Sequence, residues 1–597
     1  MQEDPNKITF FAATNSRGKE ISFGIKRRDR ARHMYVIGKT GMGKSTLLEN
    51  MAIQDVRNGE GMAFIDPHGS TAERILEYVP ENRIKDVLYF APFDMDYPVA
   101  FNVMEDVGYD KRHLVVSGLL SAFRKIWVDA WSARMEYILS NTLLALLEYP
   151  GATLLDVNRM LVNKAFRKKV VENVKDPVVR AFWLEEFATY TDRYTQEATP
   201  AIQNKIGQFT SNPLIRNIVG QSKSSFDIRQ MMDEKKILII NLSKGRVGEV
   251  NATLLGSMLV TKIYLAAMSR ADVSATTLES LPSFYFYVDE FQSFANQSFA
   301  DILSEARKYK LNLIIAHQYI EQMEEEVRDA VFGNVGTTVT FRVGPFDAEV
   351  LETIFNPQFT AQDLVNLGAF QIYLTLMIDG VGSPPFSATS LPPFDKTPQM
   401  FVSEVMASSR TQFGKQRVEV EGAIEQWHEI EKNEAAAAKP KVEERRPTFI
   451  SSSTSSRPSP SPRPAAPAAR AYERPPERTS APAPRRENRE RKPEFAESRA
   501  PKPRTPEVEQ PPLEGAKSLR EALVQATGMH MEQVPLKDLK ETLGAIAPTA
   551  AAKTPSSEPK PTIQSASTEA TRPAGLPEDV LRSMLAVDET GEQTTNQ

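Results

Sequence analysis

Gly38-Lys39-Thr40-Gly41-Met42-Gly43-Lys44-Ser45 satisfies the spacing G-x-x-x-x-G-K-[ST]. Glycines at these positions let backbone N–H groups turn inward around phosphate oxygens, and the positive end of the following helix adds to the attraction. Lys44 is placed to reach the β and γ oxygens of a nucleoside triphosphate, and Ser45 offers a hydroxyl to Mg²⁺, with Thr46 next in line. A chance glycine-rich turn is the competing explanation. It is outweighed by the flanks, since the apolar run MYVI precedes the loop and the helical run STLLENMAIQDVR begins within it.

A phosphate loop needs a carboxylate at the end of a second core strand to organise the metal's water shell. SFYFYVDE supplies Asp289 directly after an apolar run, followed by Glu290, a residue suited to polarise an attacking water as general base. Switch GTPases position water differently and a small-molecule kinase activates its acceptor, so the acid pair leans toward a nucleotide-driven machine. FIDPHGS places Asp66 at another strand end. There it can serve the metal's outer shell, with His68 reading phosphate, or it can cap the next helix in an Asp-Pro turn with Ser70. Downstream, ILSEARKYKLNLIIAHQ puts Gln318 at the end of a core strand, where an amide could sense the γ-phosphate. Arg307 sits on the helix before that strand, where a guanidinium could be presented to a neighbouring subunit's nucleotide or simply be solvated.

These residues need a scaffold of strands. Continuous apolar runs at 34–37, 62–66, 87–91, 236–242, 283–289, 311–316, 337–343 and 371–377 read as strands covered on both faces, which predicts an α/β fold with a mostly parallel sheet. Between the third and fourth runs, 110–234 has helical spacing throughout. In 133–149, Met135, Ile138, Leu139, Thr142, Leu143 and Leu146 share one face, and Pro177 marks a helix break. The expected organisation is a β-hairpin region at 1–32, a core at 33–109 and 235–400, an inserted all-helical domain at 110–234, a surface helix at 401–438 and a Pro-rich disordered tail at 439–597. Two helical islands interrupt that tail. Ser518 and Glu521 form a capping box in the first, near 518–546, and the second spans 577–587. The cluster 26–32 (KRRDRAR) could touch a phosphate backbone or be a solvated turn.

The totals set bounds. At 597 residues the chain exceeds one ordinary core, and a net charge of −5 argues against a uniformly basic nucleic-acid binder while leaving room for a local basic channel. With no cysteine, disulfides, zinc ribbons and thiol nucleophiles are excluded and a reducing compartment is the expected home. No run approaches 18 uninterrupted apolar residues, so a soluble chain without its own transmembrane segment is expected.

Taken in order, GKTGMGKSTLLENM, FIDPHGS, the helical insertion, FYVDEFQSF, EARKYKLNLIIAHQ and FGNVGTTVTFRVGPFDAEVLE followed by PPFSA resemble the conjugative coupling ATPases of type IV secretion, the TraD/TraG class of the HerA/FtsK superfamily. The likeness covers roughly residues 20 to 395. It implies a RecA-like P-loop ATPase core assembled as a hexameric ring, hydrolysing ATP with Mg²⁺ at subunit interfaces and drawing DNA through a central channel. Carried over by position, Lys44, Ser45, Asp289 and Glu290 match the ATP site, Gln318 the sensor glutamine and Arg307 the trans-acting arginine. The helical insertion matches the all-α domain that caps such rings. Coupling proteins usually carry an amino-terminal membrane anchor, whereas here the loop begins within the first forty residues with nothing apolar before it. A cytoplasmic protein is therefore expected, recruited to the inner face of the membrane by a secretion-channel or membrane partner, with the tail as docking arm. Two other readings stay open: a secretion or pilus-assembly ATPase of the same superfamily acting on protein, and an ATP-binding scaffold working through its tail. Lys244 and Arg246, in NLSKGRVGE, could line a DNA pore or form a solvated turn.

Overall fold

Apolar runs flanked by helices build an eleven-stranded mixed sheet in the computed structural model, which describes residues 3–15, 19–105, 107–295 and 298–437. The strands in chain order are β1 (Ile8–Thr14), β2 (Ser22–Lys26), β3 (Met34–Ile37), β4 (Gly61–Asp66), β5 (Val87–Phe90), β6 (Ile237–Asn241), β7 (Phe284–Val288), β8 (Leu311–His317), β9 (Thr337–Thr340), β10 (Gln371–Thr375), β11 (Met377–Ile378), β12 (Val381–Gly382) and β13 (Phe386–Ser390). Across the large sheet they run β2-β1-β13-β10-β9-β3-β8-β7-β4-β6-β5, and β11 and β12 form a separate hairpin. From β9 to β5 every neighbour is parallel. The β2, β1, β13 and β10 side is antiparallel. All described residues fall in one compact unit.

Alternation along each strand sends side chains to two separate cores. Met34 and Val36 of β3 pack with Leu47, Leu48 and Met51 of the helix Lys44–Arg57 on one face. Tyr35 and Ile37 face the other core, which includes the helix Glu249–Met268 and the helices between β5 and β6. Strands buried on both faces read as unbroken apolar runs for this reason. All of Met135, Ile138, Leu139, Thr142, Leu143 and Leu146 are buried in that second core or beside it, and Pro177 begins a new helix, Pro177–Ala181, capped by Asp176. The segment 249–272 is long and apolar enough to cross a membrane by length and composition alone, but 78% of its apolar window is packed inside the protein.

The segment expected as one surface helix is two, Val402–Phe413 and Arg417–Ala437, and both are structural. The break falls at Gly414, which bridges to Val99. The first helix covers the edge strand β5, where Ser409 Oγ accepts from the Tyr89 amide at 2.9 Å, so the exposed ladder edge is closed. The second lies on the helical segment: Val420 and Ile424 are buried, and Trp427 Nε1 donates to Asp156 Oδ1 at 3.2 Å. The expected disordered tail with its islands near 518–546 and 577–587 lies outside the described residues.

The basic cluster 26–32 is tied into the fold. Lys26 and Arg28 pair with Asp379, and Arg27 pairs with Glu60. Arg30 is buried, holds Asp55 through two 2.8 Å contacts and stacks 3.5 Å over Tyr285. Four of its five cations therefore serve the fold, which weakens the phosphate-backbone reading of this cluster, while Arg32 is exposed.

Candidate active site

Strand register decides which residues meet. Ile37 aligns with His317 and Thr340, and Val288 with Ile65 and Ile315. Gly38, Asp66, Asp289 and Gln318 therefore all emerge at the carboxyl rim of the parallel strands, the edge where open α/β sheets bind ligands. The strand β8, carrying Gln318, lies between the strands that lead into the phosphate loop and into the acid pair.

The loop has little room for side chains. Gly38 (φ 156°) would place a Cβ 2.5 Å from Phe341 Cβ, and Gly43 (φ 118°) would meet Phe341 and Phe370 at 3.0 Å. The requirement for glycine here is steric as well as conformational. Lys44 lies back along the loop, its Nζ donating to the carbonyls of Gly38 at 2.7 Å and Lys39 at 3.2 Å. Burial lowers its pKa, with Glu290 and Asp289 opposing.

Ser45 Oγ donates to Asp289 Oδ2 at 2.8 Å. Asp289 is 2% exposed, and burial pushes its carboxyl up to about 6; the Ser45 hydroxyl opposes that rise while Asp66 and Glu290 reinforce it. A buried carboxyl joined to a hydroxyl at the phosphate loop is the oxygen donor set a Mg²⁺–nucleotide complex takes.

Glu290 adopts a left-handed conformation (φ 49°, ψ 49°) unusual for a residue with a side chain. Both of its carboxylate oxygens are engaged: Gln292 Nε2 donates to Oε2 at 2.5 Å, and Gln318 Nε2 donates to Oε1. Gln318 Oε1 in turn accepts from Thr40 Oγ1 at 3.0 Å. A continuous polar chain thus links the loop, the strand-end glutamine and the acid. His68 Nε2 lies 4.0 Å from Glu290 Oε1.

Asp66 caps the following turn and helix with its own carboxylate, whereas the capping expected from sequence runs through Ser70. Its oxygens accept from the amides of His68, Thr71 and Ala72 at 2.8 to 2.9 Å, fixing the turn and the start of the helix Ser70–Leu76. Lys244 and Arg246 sit on a short helix, Lys244–Val247, rather than a free loop. Lys244 Nζ reaches Ser293 Oγ at 3.1 Å and Glu249 at 3.3 Å, and Arg246 pairs with Glu73 while stacking on Phe93. Arg307 is exposed on the 3-10 turn Ala306–Tyr309, before the start of β8, at the opposite end of that strand from Gln318. It does not join the cluster formed by Lys44, Ser45, Asp289, Glu290 and Gln318.

Two residues of the site escape the motif reading. Gln292 follows the acid pair by two positions, and only its bond to Glu290 reveals it. His317 is fully buried; its Nδ1 lies 3.2 Å from Tyr35 Oη, and its Nε2 has no hydrogen-bond partner among the described residues. Burial, with Lys44 and Lys125 nearby, lowers its pKa to about 3, so the ring is neutral.

Residues 20–354 match the family described as the type IV secretion-system coupling protein DNA-binding domain. Among solved structures, the plasmid coupling protein TrwB in complex with the non-hydrolysable ATP analogue ADPNP is 16% identical, covering 67% of this chain and 98% of its own, with a TM-score of 0.46. TrwB in complex with ADP and Mg²⁺ is 15% identical over 66% of this chain and 98% of its own, also at 0.46. VirB4 of Thermoanaerobacter pseudethanolicus is 12% identical over 66% of this chain and 98% of its own, at 0.46. A comparison with curated protein sequences found no match. With the family match spanning more than half of its length and a P-loop NTPase site at the rim of its parallel sheet, the chain belongs to the type IV secretion-system coupling protein family.

Proposed function

We propose that this protein is an ATP-hydrolysing motor that moves DNA, working as a hexameric ring. The observation that carries the hydrolytic half is the joined set at the rim: Ser45 on Asp289 at 2.8 Å, with Glu290 beside it and Gln318 bridging Glu290 to Thr40. The amides of 38–46 and Lys44 bind the phosphates of ATP, while Ser45 and Asp289 would hold Mg²⁺, which would supply the positive charge that offsets the phosphates. Glu290 takes a proton from water. Gln292 holds Glu290 Oε2, and Gln318 turns its Nε2 donor from Glu290 Oε1 to the γ-phosphate, which frees that carboxylate oxygen for the water proton. The position of Arg307, exposed and remote from its own chain's loop, favours its service to the next subunit.

In this reading 33–109 and 235–400 form the motor core, 110–234 caps the ring where substrate enters, and 439–597 recruits a secretion-channel or membrane partner from the cytoplasmic side. The family's description as a DNA-binding domain favours DNA over protein as cargo. The test is steady-state ATP hydrolysis with and without single- and double-stranded DNA, alongside a mass measurement with ATP present. DNA-stimulated turnover by a hexamer is expected. Turnover indifferent to both forms of DNA removes the DNA motor and leaves the protein-transporting reading.

A further inference from the structure

The turn that follows the acid pair is held from outside the sheet by a lysine of the helical segment. Lys125 lies in the last turn of the helix Arg112–Ile126, which packs along Glu249–Met268. Its ammonium donates to the carbonyl of Gln292 at 2.5 Å and to that of Ala295. Those carbonyls belong to the turn that directly follows Glu290, and Gln292 is the residue whose amide holds Glu290 Oε2. One unbroken series of contacts therefore runs from Lys125 through Gln292 to Glu290, Gln318 and Thr40.

Two features show why this turn needs an external hold. Glu290 is left-handed without being glycine, a conformation that persists only where the surroundings impose it. The turn also carries carbonyls facing inward, which a buried cation satisfies better than a neutral donor does. Lys244 holds the same turn from another side through Ser293 Oγ. Burial lowers the Lys125 pKa to about 8, with Glu324 opposing and Lys244 adding to the fall, so the ammonium remains charged at neutral pH.

We propose that Lys125 is a positioning residue for hydrolysis: it couples the helical segment to the turn that aims Glu290, so that a shift of the helix Arg112–Ile126 reaches the catalytic carboxylate. This rests on Glu290 being the base. The test compares the full-length wild-type chain with Lys125→Met, which keeps the stem without the charge, and with Lys125→Arg. Two readouts are taken: Mg²⁺–ATP kinetics, and amide exchange of 291–295 without nucleotide. Expected for Lys125→Met are a kcat lower by about tenfold or more, a KM within about twofold, and faster exchange at 291–295. Lys125→Arg should recover kcat to within about threefold and restore slow exchange. Unchanged exchange in Lys125→Met overturns the coupling, as does unchanged kcat, or a kcat loss matched by a loss of folded protein. A wild-type chain that fails to hydrolyse ATP sinks the ATPase reading instead, and the exchange comparison still decides whether Lys125 holds the turn.

Discussion

Replacing Glu290 with glutamine separates chemistry from binding. The side chain keeps its shape and stays between Gln292 and Gln318, whose amides both donate to it. A glutamine is neutral and has one acceptor oxygen, so both donors lose a charged acceptor and one of them loses its acceptor altogether, at a cost of about 1.5 to 3 kcal/mol. Relief of repulsion offsets part of this, because Glu290 helps raise the carboxyl of Asp289. The variant should therefore fold, with a net stability change below about 2 kcal/mol. Removing a general base costs about 10² to 10⁴ in rate, or roughly 3 to 5.5 kcal/mol of barrier. The phosphate contacts at Lys44 and the loop are untouched, and one negative charge near the phosphates is gone, so ATP affinity should be equal or tighter. Single-turnover hydrolysis with a parallel fluorescent-nucleotide titration measures both quantities. A Glu290→Gln enzyme whose rate stays within about threefold of wild type, at unchanged affinity, would refute the assignment of Glu290 as base.

Other expectations follow from the fold around the site. Arg30→Met leaves the buried Asp55 without its cation and should cost about 3 to 5 kcal/mol in denaturant unfolding; Arg30→Met combined with Asp55→Leu should recover most of it, and a single variant as stable as wild type contradicts the pairing. His33 and His317 are buried, with pKa values lowered by burial to about 4 and about 3 from 6.5. Below about pH 6.5 these two imidazoles take up protons in the unfolded chain before they do in the folded one, so their contribution to stability is complete above that pH and falls as the pH drops, outweighing the opposite contribution of the raised Asp289 carboxyl; His33 alone accounts for up to about 3 kcal/mol by pH 4. Denaturation midpoints measured from pH 7 to pH 4 should decline, with a shallower slope in His33→Asn, and a flat profile would remove the argument. Gly38→Ala drives a methyl into Phe341 and should weaken nucleotide binding by about fivefold or more, for roughly 1 to 3 kcal/mol of strain; equilibrium titration showing wild-type affinity would mean the loop has slack.

What could be read from the sequence has a physical pattern. Three of the parallel strands are apolar runs with an informative residue one step beyond, which is why Gly38, Asp289 and Gln318 could be placed before their neighbours were known. The strand β13 could not: five residues, FSATS, follow Pro384 and Pro385, and their strand character comes from pairing with β1 and β10. Gly414 escaped notice because its bridge to Val99 is contributed by residues more than three hundred positions away. Lys244 and Arg246 looked available for a pore because a sequence does not show that Ser293, Glu73 and Phe93 await them. Lys125 and Gln292 are 167 positions apart, and nothing local to either marks the contact. Motif residues announce themselves through spacing; the residues that aim them are defined by tertiary packing.

In the proposed motor, ATP hydrolysis at this site drives a ring along DNA. The most direct measurement is displacement of a triplex-forming oligonucleotide from duplex DNA, with wild-type protein, Mg²⁺ and ATP. Displacement that requires ATP and disappears in Glu290→Gln is the predicted result. Brisk ATP hydrolysis that leaves the triplex in place would contradict it.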